Sequence, residues 1–138
     1  MTPTEIVESF YADVWNRRDY DQARRIIAKD FRFRGSLDDE RQGVEGFIDY
    51  NKGVHKALGG YTCTIRDMIV ADGRVAARMY FEGVHQDDFF GVPATGKTLH
   101  WMGAAFFEIS AGQIQSLWVL GDIGGLKRQL GLTEAAWA

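Results

Sequence analysis

Residues 98–122, TLHWMGAAFFEISAGQIQSLWVLGD, hold two apolar, aromatic-rich runs joined by Ser110-Ala111-Gly112-Gln113 and closed by one carboxylate, Asp122. Alternation at a period of two, interrupted by a two-residue turn, is the signature of a β-hairpin, and hairpin register decides which side chains share a face. With Ala111-Gly112 as the loop, Ser110 pairs with Gln113, Ile109 faces Ile114, Ala105 faces Trp118 and Trp101 faces Asp122. Trp101, Gly103, Ala105, Phe107, Ile114, Ser116, Trp118, Leu120 and Asp122 then lie on one side. An apolar, aromatic surrounding disfavours the charged form of a carboxylate and suits Asp122 to acid or base work near neutral pH. A second reading competes with this one. The amphipathic run IGGLKRQLG comes directly after, so Asp122 equally suits a helix N-cap whose oxygens accept backbone N–H bonds.

At 138 residues the chain makes one domain, 1–138, large enough to bury roughly two thirds of its unfolded surface and stand without disulfide or metal. Its net charge of −3, with both signs scattered, argues against a nucleic-acid or anionic-membrane surface. Cys63, the single cysteine, reads as a small core residue rather than a nucleophile. No apolar stretch reaches transmembrane length and Met1-Thr2-Pro3 is no signal peptide, so a soluble, cytoplasmic protein is expected. Aromatic residues make up 13% of the chain, which suits a core or the wall of an apolar pocket.

Thr2-Pro3-Thr4-Glu5 is a capping box with Pro at the first helical position, and it opens a helix to about Asn16 with Val7, Phe10, Tyr11 and Val14 on one face and Trp15 at its edge. Tyr11 points inward and its hydroxyl needs a partner, from the core or from a ligand. Asp19 or Asp21 caps a second helix, 22–28. Phe31 to Arg34 alternates as a strand with Phe31 and Phe33 on one face, and the polar run Gly35 to Gln42 reads as a loop. Val44 to Leu58 is an amphipathic helix whose period places Asn51 in the centre of the apolar stripe and His55 beside it. Two polar residues facing inward need partners from the protein or from a ligand. Residues 61–70 and 74–85 flank Asp72-Gly73, a hairpin signal whose register pairs Val70 with Val75, Asp67 with Arg78 and Ile65 with Tyr80. His85 leads into the next loop, where it is either solvated or at a pocket mouth.

Gly91-Val92-Pro93-Ala94-Thr95-Gly96-Lys97-Thr98 matches the G-x-x-x-x-G-K-[ST] phosphate-loop pattern, yet it runs into a strand pattern at Leu99 and not into a helix, so no nucleotide is expected. No Cys/His metal spacing, nucleophile elbow or internal repeat appears, and neither metal nor cofactor is expected. The order of helix, helix, strand, helix, four longer antiparallel strands and a short helix is that of an α+β fold.

That order and several phrases resemble the SnoaL-like polyketide cyclases of the nuclear-transport-factor-2-like superfamily. The phrases are Phe10-Tyr11 with Val14-Trp15-Asn16, Gly43-Val44-Glu45-Gly46-Phe47, Asp72 to Arg78, Phe90 to Lys97, Gly112-Gln113-Ile114, Trp118, Asp122 and Gln129-Leu130-Gly131. The resemblance implies a curved, mixed or antiparallel sheet wrapped by N-terminal helices into a cone (the cystatin-like fold) around a deep apolar cavity, commonly as a homodimer. It implies cofactor-independent ring closure in an aromatic polyketide by intramolecular aldol condensation, with Asp122 as the acid/base. It also implies that Tyr11 and Asn51 shape substrate binding. With Trp15, Phe33, His55, Trp101 and Trp118 these form the expected binding set, for a small apolar or aromatic polyketide-like substrate. His85 is the better candidate for a second catalytic group, because His100 falls on the face opposite Asp122 unless a bulge intervenes. This sequence departs from many relatives at Ser116 and Val119, where they carry acids. Three alternatives stay open: a hydratase, isomerase or epoxide hydrolase on the same carboxylate, a non-catalytic protein that binds an apolar ligand, or a structural dimer whose pocket is filled by its own aromatics.

Overall fold

The computed structural model describes residues 1–132. Their order is α1 (Pro3–Ser9), a π-helix (Phe10–Asn16), α2 (Tyr20–Ile26), β1 (Ile27–Arg34), β2 (Glu40–Gln42), α3 (Gly43–Ala57), β3 (Leu58–Ala71), β4 (Arg74–His85), β5 (Thr98–Ser110), β6 (Gln113–Gly121) and α4 (Ile123–Gln129). One six-stranded sheet runs β2-β1-β6-β5-β4-β3, with β1 and β6 parallel and the other neighbours antiparallel. Register shifts in the β1/β6, β3/β4 and β5/β6 pairings bend the strands, and the curved sheet closes over the N-terminal helices as an α+β fold.

Local chemistry accounts for the helices. The Thr2 hydroxyl accepts the Glu5 N–H while the Glu5 carboxylate accepts the Thr2 N–H, with Pro3 in the first turn. The helix reaches Asn16 as expected, but from Phe10 it widens into a π-helix that buries Phe10, Tyr11, Val14 and Trp15. Such segments are rare and often mark functional sites. The Asp19 carboxylate caps α2 by accepting the Gln22 N–H at 3.0 Å. That helix starts two residues before the expected 22 and stops at Ile26, because Ile27 already belongs to an eight-residue β1. The last three residues of the expected loop 35–42 pair with β1 as β2. In α3 Asn51 is fully buried, as its spacing requires.

In the β3/β4 hairpin Val70 meets Val75 and Asp67 meets Arg78 as expected, but a bulge at Arg66 sets Ile65 opposite Met79 and not Tyr80. Asp67 accepts the N–H of Met68, and no ion pair joins it to Arg78 among the described residues.

The last hairpin corrects the expected register. Ala111 and Gly112 both take positive φ, 53° and 73°, and Ser110/Gln113 and Ile109/Ile114 pair as the turn dictates. Gln115 then bulges, so that Glu108 meets Ser116, Phe107 meets Leu117 and Ala105 meets Val119. One extra residue exchanges the two faces of β6. Leu117 and Val119 turn into the core, while Trp118 (46% exposed) and Leu120 (53%) lie on the outer face with Phe106 and Met102. Apolar residues stand on both faces of Leu117-Trp118-Val119-Leu120, so alternation alone had nothing to choose between.

Gly91 to Thr98 leads into β5 without an intervening helix, and among the described residues no helix is long and apolar enough to cross a membrane. Where loop 35–39 crosses β6, a Cβ on Gly121 would stand 2.6 Å from the Ser36 carbonyl oxygen. Gly121→Ala is therefore expected to destabilise the fold by about 1–3 kcal/mol, read as a lowered urea midpoint. An unchanged midpoint would mean that the loop does not rest on β6.

Candidate functional site

Between the sheet and the helices lies a cavity of about 20 Å³ lined by Tyr11, Trp15, Phe33, Ser36, Tyr50, Tyr61, Phe81, Leu117 and Val119. That is room for about one water, so the deep cavity of the expected cone is largely filled by the protein's own rings. Trp15 packs edge-on against Tyr61 at 5.4 Å and Tyr50 at 6.0 Å, and Phe33 against Tyr50 at 5.1 Å. The wall contains no charged side chain. Its most informative atom is the Tyr11 hydroxyl, which is buried with no hydrogen-bond partner among the described residues. A buried hydroxyl without a partner costs roughly 1–3 kcal/mol. Burial also drives the Tyr11 phenol well above its ordinary titration range, so it stays a neutral donor. Burial raises Tyr61 in the same way.

Of the expected binding set, the fold brings Tyr11, Trp15 and Phe33 to this cavity. Trp101 stands one layer behind, 5.3 Å from Phe81 and 5.9 Å from Tyr61, with its indole N–H donating to the Ser36 hydroxyl. Asn51 is spoken for: it accepts the Tyr20 hydroxyl at 2.8 Å and donates to the Val14 carbonyl at 3.4 Å. His55 is half-buried beyond the Trp15 ring and donates Nε2–H to the Trp15 carbonyl at 2.7 Å, and burial lowers its pKa from the ordinary 6.5. Trp118 does not enter the cavity, because the Gln115 bulge turns it outward, where the Arg34 guanidinium stacks 5.4 Å from its ring. Ser36, Tyr50, Tyr61 and Phe81 complete the wall from outside the expected set. Phe81 is consistent with alternation along β4, whereas nothing in the sequence draws loop residue Ser36 inward.

The sequence profile of SnoaL-like polyketide cyclases matches residues 5–130. The chain belongs to that family. Its fold is similar to that of IdmH from Streptomyces antibioticus, at 23% identity and a TM-score of 0.83 over 96% of this chain and 100% of that one. It is also similar to TsrD from Streptomyces laurentii, at 25% identity and 0.82 over 94% and 95%. A SnoaL-like polyketide cyclase from Agrobacterium tumefaciens matches at 20% and 0.79 over 95% and 99%. No curated protein matches the chain in sequence.

The two residues expected to do chemistry in a SnoaL-like site lie elsewhere. Asp122 is exposed at the end of β6 and caps α4, its Oδ1 accepting the Gly125 N–H at 3.0 Å. The bulge puts it beside Met102 in place of Trp101, on the outer face with Trp118 and Leu120. His100 is on that outer side as well, stacked on Tyr80 at 6.0 Å. His85 is fully buried at the end of β4, not at a pocket mouth. The Thr95 N–H donates to its Nδ1 at 3.3 Å, which leaves Nε2–H to donate to the Val92 carbonyl at 3.1 Å. Both ring nitrogens thus hold the connection that mimics a phosphate loop, and neither is left for a substrate.

Replacing the orphan hydroxyl tests whether the site is built for something other than stability. Tyr11→Phe is expected to raise stability by about 1 kcal/mol, measured by thermal and chemical denaturation. A loss of stability would reveal a partner for the hydroxyl inside the protein.

Proposed function

We propose that this chain is a cofactor-independent, polyketide cyclase-like enzyme that closes a ring in a small apolar, ketone-bearing, polyketide-like substrate by intramolecular aldol condensation. The Tyr11 hydroxyl, buried against aromatic rings with no partner of its own among the described residues, carries this reading, and family membership supports it. A neutral phenol in an apolar wall donates to a carbonyl oxygen, and its bond strengthens as negative charge develops there in the enolate. Asp122 is the base in this reading. Its carboxylate takes a proton from the carbon next to the carbonyl, the enolate carbon bonds to a second carbonyl carbon, and the carboxylic acid returns the proton to the new alkoxide. A substrate of this size needs a pocket of roughly 300 Å³ or more. It must therefore displace loop 35–39, whose Ser36 lines the cavity and rests against Gly121 beside Asp122.

Asp122→Asn separates chemistry from architecture, since Asn caps a helix about as well as Asp. Turnover of β-keto substrates is expected to fall by roughly 10²-fold or more with the denaturation midpoint unchanged. The exposure and capping role of Asp122 favour a second reading, a non-catalytic protein that holds an apolar ligand, and an undiminished rate in Asp122→Asn would remove Asp122 from the mechanism. Hydration, isomerisation or epoxide opening would place the same demands on the carboxylate.

The outer sheet face supports a homodimer. Met102, Phe106, Trp118 and Leu120 are each about half exposed there on adjacent strands, a contiguous apolar surface of the kind that a second copy covers. Phe106→Glu is expected to convert the dimer to monomer in sedimentation analysis, and an unshifted dimer would place the interface elsewhere.

A further inference from the structure

We propose that a surface dent of about 310 Å³ beside the cavity, bordered by Arg18, His55, Gly60, Tyr61 and Thr62, binds an acidic end group, a carboxylate, on the ligand whose apolar part enters the cavity. This rests on the cavity reading above and adds the chemistry of the ligand's far end. Tyr61 borders both spaces, and together with His55 and Trp15 it forms a triangle of rings, 5.4–6.2 Å apart, that separates them. The wall there is built to yield. Gly60 has φ +62°, and the β3/β4 pairing slips between Gly59 and Thr62, leaving Tyr61 outside the ladder. A ligand that turns the Tyr61 ring aside would run from the Tyr11 hydroxyl to the dent.

The charge at the dent is positive and uncompensated. Its lining includes one cation, Arg18, and no carboxylate. Arg17 next door pairs with Asp13, whereas Arg18 has no ion pair or hydrogen bond among the described residues. Its backbone takes φ +57°, a left-handed turn that is uncommon for a long side chain and recurs at functional positions. The amides nearby are committed, that of Asn16 to both backbone groups of Cys63 and the Gln86 NH₂ to the carbonyls of His55 and Lys56. His55 donates Nε2–H to Trp15, so its Nδ1 is an acceptor that meets a carboxylate only after taking up a proton, and the charge for the acid comes from the Arg18 guanidinium.

The test uses 2-naphthoate and its neutral methyl ester, titrated into the full chain and followed by NMR of the His55 ring and Arg18 side-chain nitrogens and of the Tyr11 ring. The acid is expected to bind about fivefold more tightly than the ester, the ceiling for an exposed ion pair. Arg18→Gln should abolish that preference while leaving ester affinity unchanged. Equal affinity for acid and ester, or a preference that survives Arg18→Gln, overturns the proposal. Shifts at His55 and Arg18 without any at Tyr11 would uphold the dent as an acid site and sink the cavity reading. Silence at all three residues would overturn both.

Discussion

The single inserted residue in β6 governs how the rest of the molecule is arranged. Without the bulge at Gln115, Trp118 and Leu120 would face the helices and Leu117 and Val119 the solvent. With it, the two smaller side chains complete the cavity wall across from Tyr11. The indole is left outside, where Arg34 stacks on it, pairs with Asp38 and hydrogen-bonds the Val119 carbonyl. The space on the inner side is already occupied by Phe33, Tyr50 and Tyr61, and an added indole would overpack it. The same slip carries Asp122 to the outer side of the strand end, where the start of α4 meets it.

Interior polar groups fall into two kinds. Most are engaged by the chain itself. Asn51 holds α3 to Tyr20 and the π-helix, His85 organises the loop before β5, and Asn16 takes both backbone groups of Cys63 on the edge strand β3. At the surface the Gln129 amide does the same for His100 near the start of β5, standing in for a strand after β6 has ended. Each removes a cost that an unpaired buried group would impose. Among the described residues Tyr11 is the exception, and it lines the small space inside the wall of rings. A structural tyrosine would be better replaced by phenylalanine, so a hydroxyl kept without a partner points to a bond made only when something else is bound.

Much of the fold was legible in the sequence because its signals are local. The capping box at Thr2, the cap at Asp19, the turns at Asp72-Gly73 and Ala111-Gly112 and the inward Asn51 are each decided by a few neighbouring residues. The bulges at Arg66 and Gln115 were not legible, since a bulge depends on packing against elements distant in the chain. The site suffered accordingly. Tyr11, Trp15 and Phe33 came from helical period and strand alternation and do line the cavity. Trp118 depended on the register beyond the bulge, the partners of Asn51 lie across the fold on Tyr20 and Val14, and those of His85 lie in a loop with no periodic signal to place them.

The closed cavity and the capped carboxylate together locate where the proposed chemistry would have to open the protein. Ser36 lines the cavity, accepts the Trp101 indole at a long 3.4 Å and lies against Gly121, the residue before Asp122. The rest of the loop is tied down by the Arg34–Asp38 and Arg41–Asp39 ion pairs and by the backbone bonds of Asp38 and Asp39 with Gly35, so displacing it has a cost. A ligand can shift such an equilibrium only by what it gains in the open state, and here the gain is a partner for the Tyr11 hydroxyl together with contact to the ring wall. Ser36 touches both the cavity and Gly121, so on the proposed reading its displacement is the step that would let a substrate in the cavity reach around the strand end toward Asp122.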